Sequence, residues 1–326
     1  MPGIFKKVVL ALLAGAMTGA PAAAQTDNYP NRPIQVIIPF AGGSASDVIS
    51  RIMLNRMSET LGQQFIVENR PGAGGNTGTA AAAKLTPDGY NLVITASGPL
   101  AANRTLFKSL GYDPEKDFDP ISLFAVLPNV IVVNSKLPPK TLKEFIAYAK
   151  ERPKQLNYGT VGVGSSQHIA GAFFDQVAGV ELVHVPYRNI AQYPPDFIAG
   201  QVPVGFQLLP NILALVQKGD ARPLAVTAEK RMAALPDVPT TAEAGMPGYV
   251  TGAWFAMLAP AGTPKPAIDK LYAALAEAIK DPKVRQRFTE QGAEPVAPGP
   301  EELRKFIGSE TRKIGDIIRK AGVQPM

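Results

Sequence analysis

Val36-Ile37-Ile38-Pro39-Phe40-Ala41-Gly42-Gly43-Ser44-Ala45-Ser46-Asp47 runs from a β-branched segment through small residues into the periodic Val48-Ile49-Ser50-Arg51-Ile52-Met53. The same design returns at Leu156-Asn157-Tyr158-Gly159-Thr160-Val161-Gly162-Val163-Gly164-Ser165-Ser166-Gln167-His168, which leads into Ile169-Ala170-Gly171-Ala172-Phe173-Phe174. Each stretch reads as a strand, a small-residue turn and the start of a helix. A helix start leaves backbone N–H groups unpaired and carries the positive end of the helix dipole. Such a turn is suited to an anion. Two of them, one domain apart, predict a negatively charged ligand held between two lobes.

The rest of the chain alternates in the same way. Strand-like runs fall at 34–39, 65–69, 91–96, 182–185, 202–206 and 223–226. Helical periodicity falls at 47–61, 77–84, 141–150, 170–177, 212–218, 265–280, 282–291 and 300–321. Alternation of this kind predicts βαβ units, an α/β class and helices on both faces of parallel sheets. Ligands of such sheets bind beyond the carboxyl ends of the strands, where both turns fall. Two longer extended stretches, 118–133 and 249–258, read as strands crossing between lobes, with the hinge near 124–128 and 249–254. They divide the chain into a first lobe of 25–124 plus 252–326 and an inserted second lobe of 125–251.

Composition narrows the function. The 326 residues are 46 % apolar and 18 % charged, enough for two packed domains. The formal charge of +6 is spread over helix faces, with no basic stripe and interleaved aromatics, so nucleic acid is not an expected partner. Zero cysteines exclude disulfides, thiolate metal sites and cysteine nucleophiles, and two histidines, His168 and His184, exclude a histidine-rich metal centre. No metal or cofactor is expected. At the N-terminus Lys6 and Lys7, the apolar 8–17 and Ala22-Ala23-Ala24 form a secretory signal over 1–24. No later segment offers the roughly 20 apolar residues of a membrane span. An exported, periplasmic monomer is expected.

Individual residues carry competing readings. Asp47 suits an N-cap better than a direct contact to an anion, because like charges repel. His168, in a first helical turn, either bonds locally at the cap or completes the anion cradle. A Ser165/Ser166–His168 nucleophile lacks an acid partner and a nucleophile-elbow pattern. His184 reads as a core or hinge residue and Trp254 as hinge packing. Ser97 with Gly98, Pro99, Ala101 and Asn103, and Phe206 with Gln207, are candidates for further pocket walls. Gly72, Gly74 and Gly75 lack the Lys-Ser/Thr ending of a phosphate loop.

The residues 39–47 resemble the signature opening of the Bug-type periplasmic solute-binding proteins of tripartite tricarboxylate transporters. Further likenesses follow in order: Glu68-Asn69-Arg70-Pro71-Gly72-Ala73-Gly74-Gly75, Pro87-Asp88-Gly89-Tyr90, Tyr112-Asp113-Pro114, His184-Val185-Pro186-Tyr187, Val238-Pro239-Thr240 and Ala259-Pro260-Ala261-Gly262-Thr263-Pro264. The resemblance implies a two-lobed type II periplasmic-binding-protein (Venus-flytrap) fold, with two Rossmann-like lobes joined by crossing strands. It implies no enzymatic activity, a small organic carboxylate as ligand and membrane transporter subunits as partners; a membrane sensor is the alternative partner. It points to Phe40, Ala41, Gly43, Ser44, Ser46 and Asp47 in the first lobe, and to Thr160, Val161, Gly164, Ser165, Ser166 and His168 in the second. Gly42-Gly43-Ser44, Asn189-Ile190 and Pro203 depart from the family pattern, which bears on ligand choice. No arginine stands in either turn, and the apolar Phe40, Val161, Phe206 and Leu208 favour an aromatic or medium-chain dicarboxylate over a densely charged tricarboxylate.

Overall fold

One ten-stranded sheet runs through two lobes in the order Phe65–Asn69 (β2), Ile34–Ile38 (β1), Asn91–Ala96 (β3), Gly252–Pro260 (β9), Phe118–Asn134 (β4), Val204–Leu208 (β7), Asn157–Thr160 (β5) and Val183–Pro186 (β6), with Ala221–Val226 (β8) and Glu294–Pro295 (β10) both paired to β4. The computed structural model describes residues 28–320 together with 322 and 325. The secretory signal expected over 1–24 lies outside the described residues. The chain begins β1 (Ile34–Ile38), α1 (Ala45–Leu61), β2 (Phe65–Asn69), α2 (Asn76–Ala82) and β3 (Asn91–Ala96). A wide helical turn at Gly98–Ala102 and the short α3 (Asn103–Leu106) lead to β4 (Phe118–Asn134). The second lobe follows as α4 (Leu142–Lys150), β5 (Asn157–Thr160), α5 (Ser166–Ala178), β6 (Val183–Pro186), α6 (Tyr193–Ala199), β7 (Val204–Leu208), α7 (Leu209–Gln217) and β8 (Ala221–Val226). The return to the first lobe is β9 (Gly252–Pro260), α8 (Lys265–Lys280), α9 (Pro282–Glu290), β10 (Glu294–Pro295) and α10 (Pro300–Lys320).

Strand alternation sorts the first lobe's core into two layers. Ile34, Val36 and Ile38 of β1, Leu92 and Ile94 of β3, and Phe255 and Met257 of β9 face α1, α8 and α9. Ile37, Val93, Trp254 and Leu258 face the other way, onto α2 and α10. In the second lobe Ile131, Val133, Val204 and Phe206 pack on α4 and α5, while Val130 and Val132 meet α6 and α7. Helices thus cover both faces of each lobe, as parallel strands require.

β4 is 17 residues long because it serves both lobes. It pairs antiparallel with β9 as far as Pro128↔Gly252, then with β7 from Asn129↔Leu208. At the handover Asn129 N–H donates to Thr251 O at 3.2 Å and Thr227 N–H to Asn129 O at 2.9 Å. The Thr227 hydroxyl donates to Thr251 O at 2.6 Å, and the Asn129 side-chain amide donates to Phe206 O at 2.8 Å. Both connections are therefore tied together at one point.

Two sequence expectations are corrected here. Trp254 is not hinge packing: its ring stands edge-on to Phe306 at 5.2 Å and its Nε1–H donates to Glu310 Oε2 at 3.2 Å, pinning α10 to β9. α1 and α5 begin earlier than their apolar periodicity, at Ala45 and Ser166, because their first turns are set by the Ser44 and Ser165 caps; α7 begins at Leu209 with Pro210 in its first turn. α6, which the sequence reading does not predict, carries Pro194 and Pro195 in its first turn, where no N–H partner is needed.

Candidate functional site

Both turns fold to one geometry. In the first, Gly43 takes φ +76°, and Ser44 caps α1 at φ −67°, ψ 163°. In the second, Gly164 takes φ +83° and Ser165 caps α5 at φ −67°, ψ 159°. The Ser44 hydroxyl accepts from Asp47 N–H at 3.4 Å and the Ser165 hydroxyl from His168 N–H at 3.3 Å. Each third helical residue then reaches back to the glycine before the cap: Gly43 N–H donates to Asp47 Oδ2 at 3.0 Å, and Gly164 N–H to His168 Nδ1 at 3.3 Å. This is a capping box displaced by one residue. Asp47 and His168 thus hold equivalent places in the two jaws.

The chemistry behind the jaws differs. Burial pushes the Asp47 carboxyl up, but hydrogen bonds from Arg51, Gly43 and Asn69 together outweigh it and hold the group below the usual carboxylate range. Asn69 Nδ2–H also donates to Phe40 O at 3.0 Å, bracing the loop. In the second jaw, burial lowers His168 to about 4. Burial and then the neighbouring His168 lower His184 to about 3. The two rings lie 4.4 Å apart, and both are neutral at neutral pH. Since His168 Nδ1 accepts from Gly164, its proton is assigned to Nε2. His184 is neither core nor hinge: on β6 its Nε2 lies 2.7 Å from the Thr160 hydroxyl, which accepts from Gly162 N–H at 3.0 Å. The second jaw is therefore fixed by uncharged groups.

Between the jaws lies a cavity of about 30 Å³. Phe40, Ser44, Ala45 and Ser46 line it from the first jaw, and Val161, Ser165, Ser166 and Gln167 from the second. Ala96, Ser97 and Gly98 close one side, and Leu208, Asn211, Ala253 and Phe255 the other. The Ser46 hydroxyl is buried and makes no hydrogen bond to the protein. Asn211 bridges the lobes, accepting from Ala45 N–H at 2.8 Å and donating to Gln207 Oε1 at 3.1 Å. The lobes also meet at the rim. Gly74, at φ +61°, stands so near the second lobe that an added Cβ would lie 2.0 Å from Val163 O.

The predicted residues separate by role. Phe40, Ser44, Ser46, Ser97, Val161, Ser165 and Ser166 meet at the cavity wall. Gly43, Asp47, Thr160, Gly164 and His168 lie behind it and shape the turns. Ala41 faces a wider opening of about 550 Å³ at the edge of the cleft, opposite Arg188 and Asn189. Phe206 is a correction: β7 alternation places it on the Val204 side, fully buried against Tyr158 and Phe174 at 5.5 and 5.2 Å. Gln207 is likewise not on the wall; its amide donates to Gly159 O at 2.7 Å and supports Asn211. Sequence reasoning missed Ala253 and Phe255, which reach the cleft only because β9 inserts beside β3. It also did not place Arg188 at the wider opening; its position next to the departures at Asn189 and Ile190 was the available signal.

A two-lobed α/β clamshell aiming two capped helix starts at one pocket between the lobes defines a ligand-clasping solute-binding protein. Residues 49–323 match the family described as "Tripartite tricarboxylate transporter family receptor". Protein BugT of Bordetella pertussis is 35 % identical over 310 residues, covering 95 % of each chain. Among solved structures, Rpa4515 of R. palustris with adipate superposes with a TM-score of 0.89 at 35 % identity, covering 91 % of this chain and 100 % of that one. MatC of Rhodopseudomonas palustris with bound malate gives 0.81 at 33 %, covering 89 % and 100 %. This chain belongs to the tripartite tricarboxylate transporter receptor family, of the Bug type. It is a binding protein and not an enzyme.

Proposed function

We propose that this protein captures a small organic carboxylate between its lobes in the periplasm and delivers it to a tripartite tricarboxylate-type membrane transporter. The observation that carries the reading is the pair of helix starts facing one pocket, with the buried, unpartnered Ser46 hydroxyl between them. Hydroxyl and amide donors to a carboxylate are charge-assisted and strong, so no cationic side chain is needed at that end. The adipate and malate held by two similar proteins support the ligand class. Among the described residues no helix is long and apolar enough to cross a membrane. The strand handover supports a first lobe reaching Pro128 and resuming at Gly252, a few residues beyond the boundary of 124/125 expected from sequence, with the lobes closing about the Asn129–Thr227–Thr251 knot and ligand favouring the closed form.

A thermal-shift screen of carboxylates tests the ligand class, because a binder raises apparent stability with the logarithm of its concentration over Kd. Ser46→Ala combined with Ser165→Ala should weaken the best binder at least tenfold while the far-ultraviolet circular dichroism stays unchanged. Unaltered affinity in calorimetry would reject the site. Loss of uptake on deletion, restored by the wild-type gene, tests delivery.

A further inference from the structure

The inner pocket, at about 30 Å³, has room for little more than the water-sized head of a ligand. The adjoining opening, at about 550 Å³, is far larger and straddles both lobes. The two spaces share the first loop: Phe40 and Ser44 line the inner one, and Ala41 and Gly42 the outer. The same loop thus borders both spaces, so the outer one is the nearest room for the body of a ligand whose carboxylate sits inside. That space is of mixed character: Ala41, Gly42, Asn69 and Pro71 bound it on the first lobe, and Arg188, Asn189, Ala191 and Gln192 on the second.

Arg188 is the unbalanced charge there. It is exposed and, among the described residues, makes no hydrogen bond or ion pair. The acids of the facing loop are already engaged, Asp47 with Arg51 at 2.9 Å and Glu68 with Arg70. The backbone at Arg188 is held firmly. Tyr187 before it is buried, donates its N–H to Thr160 O at 2.8 Å and its hydroxyl to Asp196 at 2.6 Å; Ile190 after it is also buried. The Tyr187 bond ties this segment directly to the end of β5, the base of the second jaw. A fixed backbone and a free guanidinium beside a space bordered by the same loop as the pocket together suit a second anionic group.

We propose that Arg188 anchors the far carboxylate of a dicarboxylate whose near carboxylate occupies the inner pocket. This inference rests on the carboxylate-binding reading above. Binding of both ends would link the lobes twice, so a dicarboxylate would favour closure more than a monocarboxylate of equal length.

The test is calorimetry on the full protein with straight-chain dicarboxylates of four to eight carbons and the monocarboxylate of each length (adipate against hexanoate at six). The wild type should prefer the best dicarboxylate at least tenfold over its monocarboxylate. Arg188→Gln should abolish that preference by weakening the dicarboxylate tenfold or more while changing the monocarboxylate less than twofold. Arg188→Lys should keep part of it. An unchanged preference in Arg188→Gln, or no preference in the wild type, would overturn the assignment and leave carboxylate binding intact. A wild type that bound neither series would overturn carboxylate binding itself, and this inference with it.

Discussion

Gly98→Ala isolates closure from folding. Gly98 opens the wide turn after β3 and takes no positive φ, so alanine is sterically acceptable to its own backbone. Across the cleft, however, the new Cβ would lie 2.7 Å from Gly164 O, where ordinary contact begins at 3.4 Å. The obstacle is backbone on both sides and cannot rotate away. The lobes would have to part by about 0.7 Å, the difference of those two distances. Overpacking of this size costs about 1–3 kcal/mol, and only in the closed form. At about 1.4 kcal/mol per decade, ligand affinity should fall roughly fivefold to 150-fold. The melting temperature without carboxylate should hold. Titration calorimetry reads the affinity, and small-angle scattering at saturating ligand reads the remaining gap. Wild-type affinity with wild-type compaction would refute the reasoning.

Asn211→Ala removes the acceptor of the interlobe bond from Ala45 N–H and should weaken ligand binding roughly twofold to tenfold in calorimetry, in line with about 0.5–1.5 kcal/mol per hydrogen bond. For His184 the folded pKa lies below that of the unfolded chain, so between about 6.5 and 3 the unfolded chain binds more protons. The stability contributed is full above pH 6.5 and lost on acidification, and the melting temperature of wild type relative to His184→Gln should fall across that window. Asp175 works in the opposite sense. Burial raises it to about 7, against the hydrogen bond from Leu182 N–H and with help from the Glu181 charge, so its ionisation costs stability as pH rises from about 4 to 7. Asp175→Asn should therefore gain melting temperature over wild type through that range and level off above it.

Much of the fold was legible because burial imposes period. β2, β3 and α8 stand where their apolar patterns end, at Phe65–Asn69, Asn91–Ala96 and Lys265–Lys280. Both jaws were legible because a Gly-Ser turn before a helix is local chemistry. The walls added by distant elements were not. Phe206 and Leu208 look equivalent in sequence, yet one is held in the second lobe's core while the other, at the start of α7, turns into the cleft. Ala253 and Phe255 line the pocket only through the register that sets Phe255 beside Ala96. Arg188 reads as any surface arginine until the lobes bring it opposite Gly42. Such residues acquire a role from tertiary contacts, which no window of sequence contains.

The central claim is that two helix starts grip one carboxylate. The most direct measurement is the crystal structure of the protein with the carboxylate giving the largest thermal shift. It should show one carboxylate group between the lobes, within hydrogen-bond distance of the Ser46 hydroxyl and the first backbone amides of α5. A ligand bound elsewhere, or one whose carboxylate points away from both turns, would contradict it.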